Sequence, residues 1–471
     1  MILQGRKIIK TPYNHIDDSN IVEVLTNSYS QFSGNVGEIN YLFNYYKGIQ
    51  TILNREKVYH KEINNKIVEN HANEIVAFKV GYLLWKPIQY IARKDSVSLN
   101  AMELFNDFMV IENKEGKDKE VAKHQSICGT AYRLATVNKD YKGGKNEAPF
   151  NITTIHPNKA YVVYTDEFDC KPILGVFVDY IAIDKTKKLR LQAYTKDTYY
   201  EIIDSVIVKK EIHTYGSIPL VEYPLNEERM GDFEKVIGLL EAINTVQSNR
   251  LDGVEQFIPS LLVFKNVDID DENFQKLKEM GAIKIKDNGE LEADVKYLTQ
   301  ELNQQQVQSL KNDLYNVVLK IVGMPSQNDG NKSISANNGA VAISNGWQGA
   351  DARASETEIM FKTSEKKFLK VVLNITRTLT ANKVDLGIAD IDIKFTRRNY
   401  EDLYVKVQTL DLMLKNEKIE PRLAFVACGL FPDAEQAYEE SRIHYENFKK
   451  EQQELLEKQK AGNENVEDSN K

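Results

Sequence analysis

Apolar residues in the first part of the chain recur at the spacing of amphipathic helices. They fall on one face over Val36 to Leu53 and again over Ile67 to Trp85. Lys86-Pro87 ends the second pattern because proline cannot continue a helix. The same period returns over Leu99 to Ile111 and Val121 to Val137. The sequence therefore predicts four helices before residue 138.

The residues ahead of the first helical pattern are polar and mixed. Thr11-Pro12 and the run from Ser30 to Gly34 are typical of turns. We therefore expect residues 1–34 to form an N-terminal arm ahead of a first domain over 35–230.

Between residues 150 and 223 the helical spacing gives way to short runs of β-branched and aromatic residues. Turn residues separate these runs, as in antiparallel strands joined by short loops. The predicted strands are Tyr161 to Tyr164, Ile173 to Ile183, Leu189 to Tyr194, Tyr199 to Ile203 and Ser205 to Ile212. The first half is predicted to be an α+β, helix-rich unit with a meander packed on helices.

Two long apolar stripes organise the second half. Gly231 to Gln256 repeats apolar residues every three or four positions up to Pro259, which predicts a helix of about 39 Å. Asn303 to Val322 has the same spacing and is followed by Gly323 and Pro325. We expect both stripes to be packing surfaces, within one chain or between subunits. Their representative residues are Phe233, Val236, Leu240, Leu310, Leu314 and Ile321.

A small αβ segment is predicted between these two helices, over 260–302. Leu261 to Lys265 has the composition of a strand, and Asp270 to Met280 that of a short capped helix. Ala282 to Lys286 and Leu291 to Tyr297 are β-like, and Asp287-Asn288-Gly289 joins them as a hairpin signal.

A polar loop follows the second long helix, over 326–339. One interpretation is a disordered connector. The other is weak, sequence-independent contact with a phosphate backbone, since the loop is rich in amides and hydroxyls and close to neutral. The candidate contact residues are Asn328, Lys332, Ser333, Ser335, Asn337 and Asn338.

The C-terminal part is predicted to be mainly helical. A long helix begins near Ala340, and Gly346 and Gly349 could bend it near its start. A strand over Ile391 to Phe395 completes a segment that ends at 398. Further helices over 399–458 precede a disordered tail at 459–471.

The charge balance excludes a conventional DNA-binding protein. The 471 residues carry a net charge of -8, whereas such a protein would show a basic stripe. The predicted helix over 231–255 has five acidic and two basic residues, either a solvated face or the lining of an acidic channel. The chain also lacks a long apolar run and a secretory signal, which predicts a soluble intracellular protein with no membrane contact.

Catalytic and metal motifs are nearly absent from the sequence. Gly143-Gly144-Lys145 lacks the rest of a phosphate loop, and the seven histidines are scattered. Three distant cysteines argue against a disulfide framework or a zinc site. We expect no catalytic residues, no metal and no cofactor.

One acidic cluster imitates a calcium loop. Asp268, Asp270, Glu272 and Glu279 have a spacing similar to that of an EF-hand, but Asn273 stands where glycine belongs. The simpler interpretation is that Asp270 or Asp271 caps the short helix. A divalent ion on Asp268, Asp270 and Glu272 would instead suit a nuclease-like enzyme.

Three local motifs resemble those of the portal proteins of long-tailed double-stranded DNA bacteriophages, also called head-to-tail connectors. The first runs from Ile218 to Val236 with the pattern P-x-x-E-x-x-x-N-x-x-x-x-G-D-F-E and continues into Leu240 to Asp252. The second is Asn73 to Tyr90, and the third is Ser335 to Ile343. The resemblance covers about residues 25 to 450.

The resemblance implies a plan for the subunit. Residues 35–230 and 340–398 would form the wing, 231–259 and 303–325 the stem, and 260–302 the clip. Residues 326–339 would form a tunnel loop and 399–458 a helical crown. In the clip, the implied partner-binding residues are Phe274, Lys278, Ile283, Lys284, Ile285 and Lys286.

The resemblance also implies a non-enzymatic function. A homo-oligomeric ring, typically of twelve subunits, would occupy one capsid vertex of the virion, and double-stranded DNA, weakly bound, would enter and leave through it. Its partners would be the terminase large subunit, a head-completion adaptor, scaffold and major capsid protein, with assembly in the host cytoplasm. The alternatives are a metal-dependent phage nuclease-like enzyme and a non-ring structural capsid-associated protein.

Overall fold

The computed structural model describes most of the chain and shows a mixture of helices and sheets. The described residues are 3–58, 61–93, 99–183, 186–257, 261–265, 294–298, 304–325, 346–379, 383–397, 403–431 and 434–467. The helices are α1 (Ile21–Tyr46), α2 (His71–Leu83), α3 (Leu99–Ile111), α4 (Lys114–Cys128), α5 (Ile237–Phe257), α6 (Gln304–Val322), α7 (Trp347–Arg377), α8 (Leu403–Leu414), α9 (Pro421–Cys428) and α10 (Ala434–Glu467).

The strands form four sheets within the described ranges. They are β1 (Ile9–Thr11), β2 (Gln89–Ala92), β3 (Thr130–Val137), β4 (Phe150–Ile155), β5 (Ala160–Thr165), β6 (Pro172–Ile183), β7 (Thr186–Tyr194), β8 (Thr198–Ile203), β9 (Val206–Ile212), β10 (Leu220–Pro224), β11 (Leu261–Lys265), β12 (Asp294–Leu298) and β13 (Ile391–Lys394). Their orders are β1-β5-β6-β7-β8-β9, β10-β3-β4, β11-β12 and β13-β2.

The six-stranded sheet contains the predicted meander. Strands β5 to β9 pair antiparallel with their sequence neighbours, so that prediction is confirmed. Helix α1 packs on this sheet through Ile21, Leu25 and Phe32, and the Phe32 ring stacks on Tyr161 at a centroid distance of 4.5 Å.

A second core surrounds the three-stranded sheet. Phe361, Phe368 and Val372 of α7 are buried there with residues of α3, α4 and the strands. The third core joins the C-terminal half of α1 and helix α2 to the start of α5 and the end of α6, through residues such as Ile39, Ile75, Phe233 and Val318. The start of α5 and the end of α6 therefore lie in the same core.

The predicted N-terminal arm is wrong as a structural description. Strand β1 pairs in parallel with β5, with Ile9 opposite Val163, and α1 begins at Ile21 instead of Val36. Ser30 to Gly34 lie inside α1, because burial of Phe32 and its neighbours outweighs the modest helix propensity of serine and glycine.

Two other element predictions need correction. The helix predicted over Val121 to Val137 is α4 followed by β3, and Gly129 separates them with a left-handed φ of 79°. The predicted tail from residue 459 is helical up to Glu467 as part of α10.

The predicted long helices are observed with small shifts at their ends. Helix α5 follows a 3-10 turn at Glu234–Val236, α6 spans Gln304–Val322, and α7 begins after Gly346, whose φ is 81°. Strand β11 is present as predicted and pairs with β12. The predicted helix Asp270 to Met280 and the run Ala282 to Lys286 lie outside the described residues.

Candidate subunit interface

Two acids, the buried Glu234 and the half-buried Asp232, fix the start of helix α5 in the rest of the protein. Glu234 accepts hydrogen bonds from the Arg6 guanidinium at 2.7 Å and from the Gly231 backbone N–H at 2.9 Å. The same Arg6 Nη2 lies 2.8 Å from Glu38 of α1. Asp232 accepts from the Ser126 hydroxyl at 2.6 Å, and burial raises the pKa of its carboxyl.

A third acid fixes α5 near its other end. Asp252 lies 3.0 Å from Arg55 and 2.6 Å from Lys57, and it accepts from the Asn65 backbone N–H at 2.7 Å. Three of the five acids counted over 231–255 are thus shielded anchors. The channel-lining interpretation is therefore wrong for Asp232, Glu234 and Asp252.

Helix α6 is held on one side by α5 and on the other by α2. Arg250 donates to Gln308 Oε1 at 2.6 Å across the α5–α6 contact. Lys311 donates to Glu69 at 2.5 Å, and the Tyr315 hydroxyl donates to Glu74 at 2.7 Å. The sequence offered no signal for these contacts, since each joins residues far apart in the chain.

His71 lies at the centre of the contact between α2 and α6. Its ring nitrogens are 2.7 Å from Glu74 and 3.0 Å from Glu69, and its ring packs on Tyr315 at a centroid distance of 4.6 Å. Burial disfavours the protonated ring, but the hydrogen bonds to Glu74 and Glu69 outweigh it and raise the pKa of His71 above 6.5. This geometry is that of a structural, hydrogen-bonded histidine.

The predicted stem-packing residues divide into two groups. Phe233, Val236 and Leu240 are buried in the third core, and Leu314 packs partly against it. Leu310 is 51% exposed and Ile321 is 39% exposed. Val317, which the sequence analysis did not single out, is 42% exposed.

The exposed apolar residues of α6, together with the half-buried Leu314, form one stripe. Leu310, Leu314, Val317 and Ile321 follow the i, i+4, i+7, i+11 spacing of a helix seam. Leu251 and Val254 of the adjacent α5 are also exposed. An apolar seam of this kind is suited to packing against another helix, because burying it removes aliphatic surface from water.

A buried charge network joins strand β3 to helices α4 and α7. Arg133 of β3 lies 3.0 Å from Glu365 of α7 and 2.5 Å from Asp118 of α4, and none of the three is more than slightly exposed. Lys114 contacts both carboxylates, at 2.9 Å from Glu365 and 2.5 Å from Asp118. Sequence reasoning missed this network, although a lone arginine within the apolar run from Ala131 to Ala135 was a signal.

Comparison with known proteins identifies the family of this chain. The family model described as "Phage portal protein, SPP1 Gp6-like" matches residues 29–464. The chain belongs to this portal protein family. Phage portal proteins are structural components of the virion capsid.

One curated relative of this portal-family chain is the portal protein of Clostridium phage phiCD119. It is 22% identical over 382 residues, which is 74% of this chain and 81% of the relative. Two solved structures are more distant, each 12% identical over 77% of this chain and 90% of the other. They are the neck of an empty gene transfer agent particle computed with C6 symmetry, with a TM-score of 0.44, and the virion of a native gene transfer agent particle, with a TM-score of 0.43.

Several residues predicted for this portal-family chain lie outside the described residues. They are the tunnel-loop candidates Asn328, Lys332, Ser333, Ser335, Asn337 and Asn338, the clip candidates Phe274, Lys278, Ile283, Lys284, Ile285 and Lys286, and the acids Asp268, Asp270 and Glu272. Their roles stay predictions.

The described residues also contain neither a metal-binding cluster nor a membrane-spanning helix. No cluster there brings three or more histidine, cysteine or acidic side chains into a geometry that could hold a metal ion. No helix among those residues has the length and hydropathy required to cross a bilayer.

Proposed function

We propose that the chain assembles into a ring at one capsid vertex and that α5 and α6 form the stem around a central DNA channel. The observation that carries this proposal is the exposed seam of α6. A single chain leaves Leu310, Val317 and Ile321 in water, whereas a neighbouring subunit would cover them.

The assignment of the other parts follows from chain order around the stem. Residues 260–302, between α5 and α6, form the clip that docks the terminase large subunit and later the head-completion adaptor. Residues 326–339, between α6 and α7, form the tunnel loop. The wing and the crown over 399–458 face scaffold and major capsid protein during assembly in the host cytoplasm.

The anchors of α5 suit this function. Arg6 neutralises the Glu234 carboxylate, and Arg55 and Lys57 neutralise that of Asp252, so these two anchors present no row of charge to a passing duplex. A chain of net charge -8 then has no strong attraction for phosphates, which allows DNA to move without being trapped. We propose a ring of twelve copies of the 53.9 kDa chain, about 647 kDa.

The double variant Leu310→Glu with Val317→Glu tests the ring. Both side chains are exposed in the single chain, so the free energy of unfolding should change by less than about 1 kcal/mol. Between subunits, unpaired carboxylates would each cost several kcal/mol, and mass photometry should show loss of the ring.

The matched control is Val208→Glu, on the exposed strand β9 of the six-stranded sheet. It should leave the ring mass unchanged. A full-size ring from the double variant, or a wild-type chain that stays monomeric at all salt concentrations, would overturn the proposal.

A further inference from the structure

A second region of the wing has the properties of a binding site. A cavity of about 580 Å³ lies between the six-stranded sheet, strand β10 and helix α7. Its apolar wall includes Ile16, Val162, Ile173, Ile218 and Leu220. No contact described above for the stem involves this cavity.

Lysines from three different elements converge on the cavity. Lys196 comes from the turn between β7 and β8, Lys367 and Lys370 come from α7, and Lys171 precedes β6. Lys171 is paired with Asp169. Lys196, Lys367 and Lys370 are exposed and form no ion pair or hydrogen bond with any residue that the structure describes.

The acidic residues of the same cavity do not neutralise these lysines. Glu222 is buried and bonded to Arg229 at 2.7 Å and to the Tyr164 hydroxyl at 2.6 Å. Asp197 accepts hydrogen bonds from Thr195 at 3.0 Å and Thr198 at 3.1 Å and is the remaining carboxylate. The cavity thus has a positive rim on a protein whose net charge is negative.

We propose that this cavity binds an acidic peptide segment of a partner protein, with an aliphatic side chain in the cavity and carboxylates on Lys196, Lys367 and Lys370. The positive rim is complementary in charge to the carboxylates of the peptide, and the aliphatic wall of the cavity is suited to its apolar side chain.

Nucleic acid suits the cavity less well than a peptide. Single strands bind through aromatic faces on which bases stack, but the Tyr164 ring in the lining is buried and its hydroxyl is bonded to Glu222. A duplex is too wide for a concave space of this volume, although its phosphates could reach the rim. The site is complete in a single chain, so the inference does not depend on ring assembly.

The test uses the full chain and a fluorescein-labelled peptide in which Asp and Glu flank a central Leu-Ile pair. Fluorescence anisotropy should show saturable binding that weakens as salt increases. A twin peptide with Asn and Gln in place of the acids should bind at least about tenfold more weakly. Equal affinity of the two peptides would overturn the proposal.

Substitutions on α7 test whether the peptide binds at the lysines of the cavity. Lys367→Glu with Lys370→Glu should weaken binding by about tenfold or more, whereas Lys367→Arg with Lys370→Arg should retain it. Lys366→Glu is the matched control, since Lys366 is exposed on the same helix but is not part of the lining. Unfolding midpoints verify that all variants fold.

Two results of these measurements would reject the site. One is an equal loss of affinity in Lys366→Glu and in the Lys367→Glu, Lys370→Glu pair, which would indicate a general charge effect. The other is displacement of the peptide by duplex DNA at similar concentration, which would make the rim a phosphate site. Selective loss in the pair, with no displacement by DNA, supports the acidic-peptide site.

Discussion

Arg133 has no exposed surface, and it connects three elements through the charges around it. It contacts Asp118 of α4 and Glu365 of α7, and its guanidinium lies 4.9 Å from the Tyr223 ring centroid and 5.1 Å from that of Phe368. A buried carboxylate that loses its partner cannot regain water. Loss of the arginine would therefore leave two buried carboxylates with too little compensating charge.

Removal of this arginine should be costly. Arg133→Met should lower the free energy of unfolding in urea by about 3–5 kcal/mol, because Asp118 and Glu365 keep only Lys114 as a cation. Adding Glu365→Gln should recover part of the loss by removing one uncompensated charge. Lys119→Ala breaks an exposed pair with Glu115 and should cost less than about 1 kcal/mol. Equal losses for Arg133→Met and Lys119→Ala would contradict this account.

His71 should make the contact between α2 and α6 depend on pH. Its pKa in the folded protein is raised above 6.5, so its contribution is fully present below 6.5 and is lost as pH rises through the folded pKa. The groups that face it are Glu69, Glu74, Lys311 and Tyr315. We expect wild type to exceed His71→Gln in stability by about 1 kcal/mol more at pH 6 than at pH 8.5.

The comparison must be made between variants, since other histidines act in the opposite direction. Burial lowers the pKa of His124 to about 3, so its contribution is present above 6.5 and is lost as pH falls. Urea unfolding of both proteins across pH measures the difference. A constant difference between wild type and His71→Gln would refute the assigned role.

At the scale of single residues, sequence periodicity correctly predicted which side chains of α5 are buried, but it did not distinguish them from the exposed side chains of α6. Phe233, Val236 and Leu240 were predicted to pack and are buried. The same period also selected Leu310 and Ile321, which are exposed in the single chain. An apolar stripe in a sequence does not show whether its partner lies in the same chain or in another. The partners of Arg133 could not be predicted, since Glu365 is 232 residues away.

At the scale of elements, the start of α1 illustrates how packing overrides propensity. Glycine and serine within Ser30 to Gly34 lower helix propensity by about 1 kcal/mol per residue at most. Burial of an aromatic side chain such as Phe32 contributes about 1.5–3 kcal/mol. A short stretch of sequence shows the helix propensity but not the burial of Phe32, and for this reason the sequence analysis predicted an arm.

Helix α1 should be easy to stabilise at its glycines. Gly34 and Gly37 lie in its interior, and a Cβ at either would meet no atom within 4 Å. Changing both to alanine should raise the free energy of unfolding by about 1–2 kcal/mol in total, because alanine loses less backbone freedom on folding. Thermal unfolding measures this gain.

At Gly129, unlike Gly34 and Gly37, substitution by alanine should destabilise the protein. Its φ is 79°, and a Cβ there would lie 2.0 Å from the Arg229 carbonyl oxygen. Gly129→Ala should therefore destabilise the protein by more than about 1 kcal/mol, through strain and displacement of the segment before α5. Stabilisation by both kinds of substitution would show that the close approach is not maintained in solution.

At the scale of the whole molecule, the predicted meander and the two predicted long helices occur in that order among the described residues. The meander and the two long helices were predictable because each is encoded by a local period. The pairing of β1 with β5 was not, since three residues carry too little pattern to indicate a partner about 150 residues later.

The predicted tunnel loop can be tested apart from ring assembly. Deletion of 328–338 should leave the ring mass unchanged and reduce DNA packaged or retained per particle, because the proposed contact with the phosphate backbone is lost. Packaged DNA per particle is measured in a phage-packaging assay with this chain as the portal. A Gly-Ser segment of equal length separates the role of length from that of side chains. Normal packaging and retention in the deletion would reject the role of the loop.

The pairing of Arg6 with Glu234 spans 228 residues and sets a limit on how a subunit is made. Residues near the start of the chain complete both the six-stranded sheet and the base of α5, so they must wait on the ribosome for segments translated much later. At about 5–20 residues per second, that interval is roughly 10–45 s. During this time Arg6 of the nascent chain has no Glu234 to pair with, and β1 has no partner until β5 is translated. Newly made subunits should therefore become competent for oligomerisation only after this late closure.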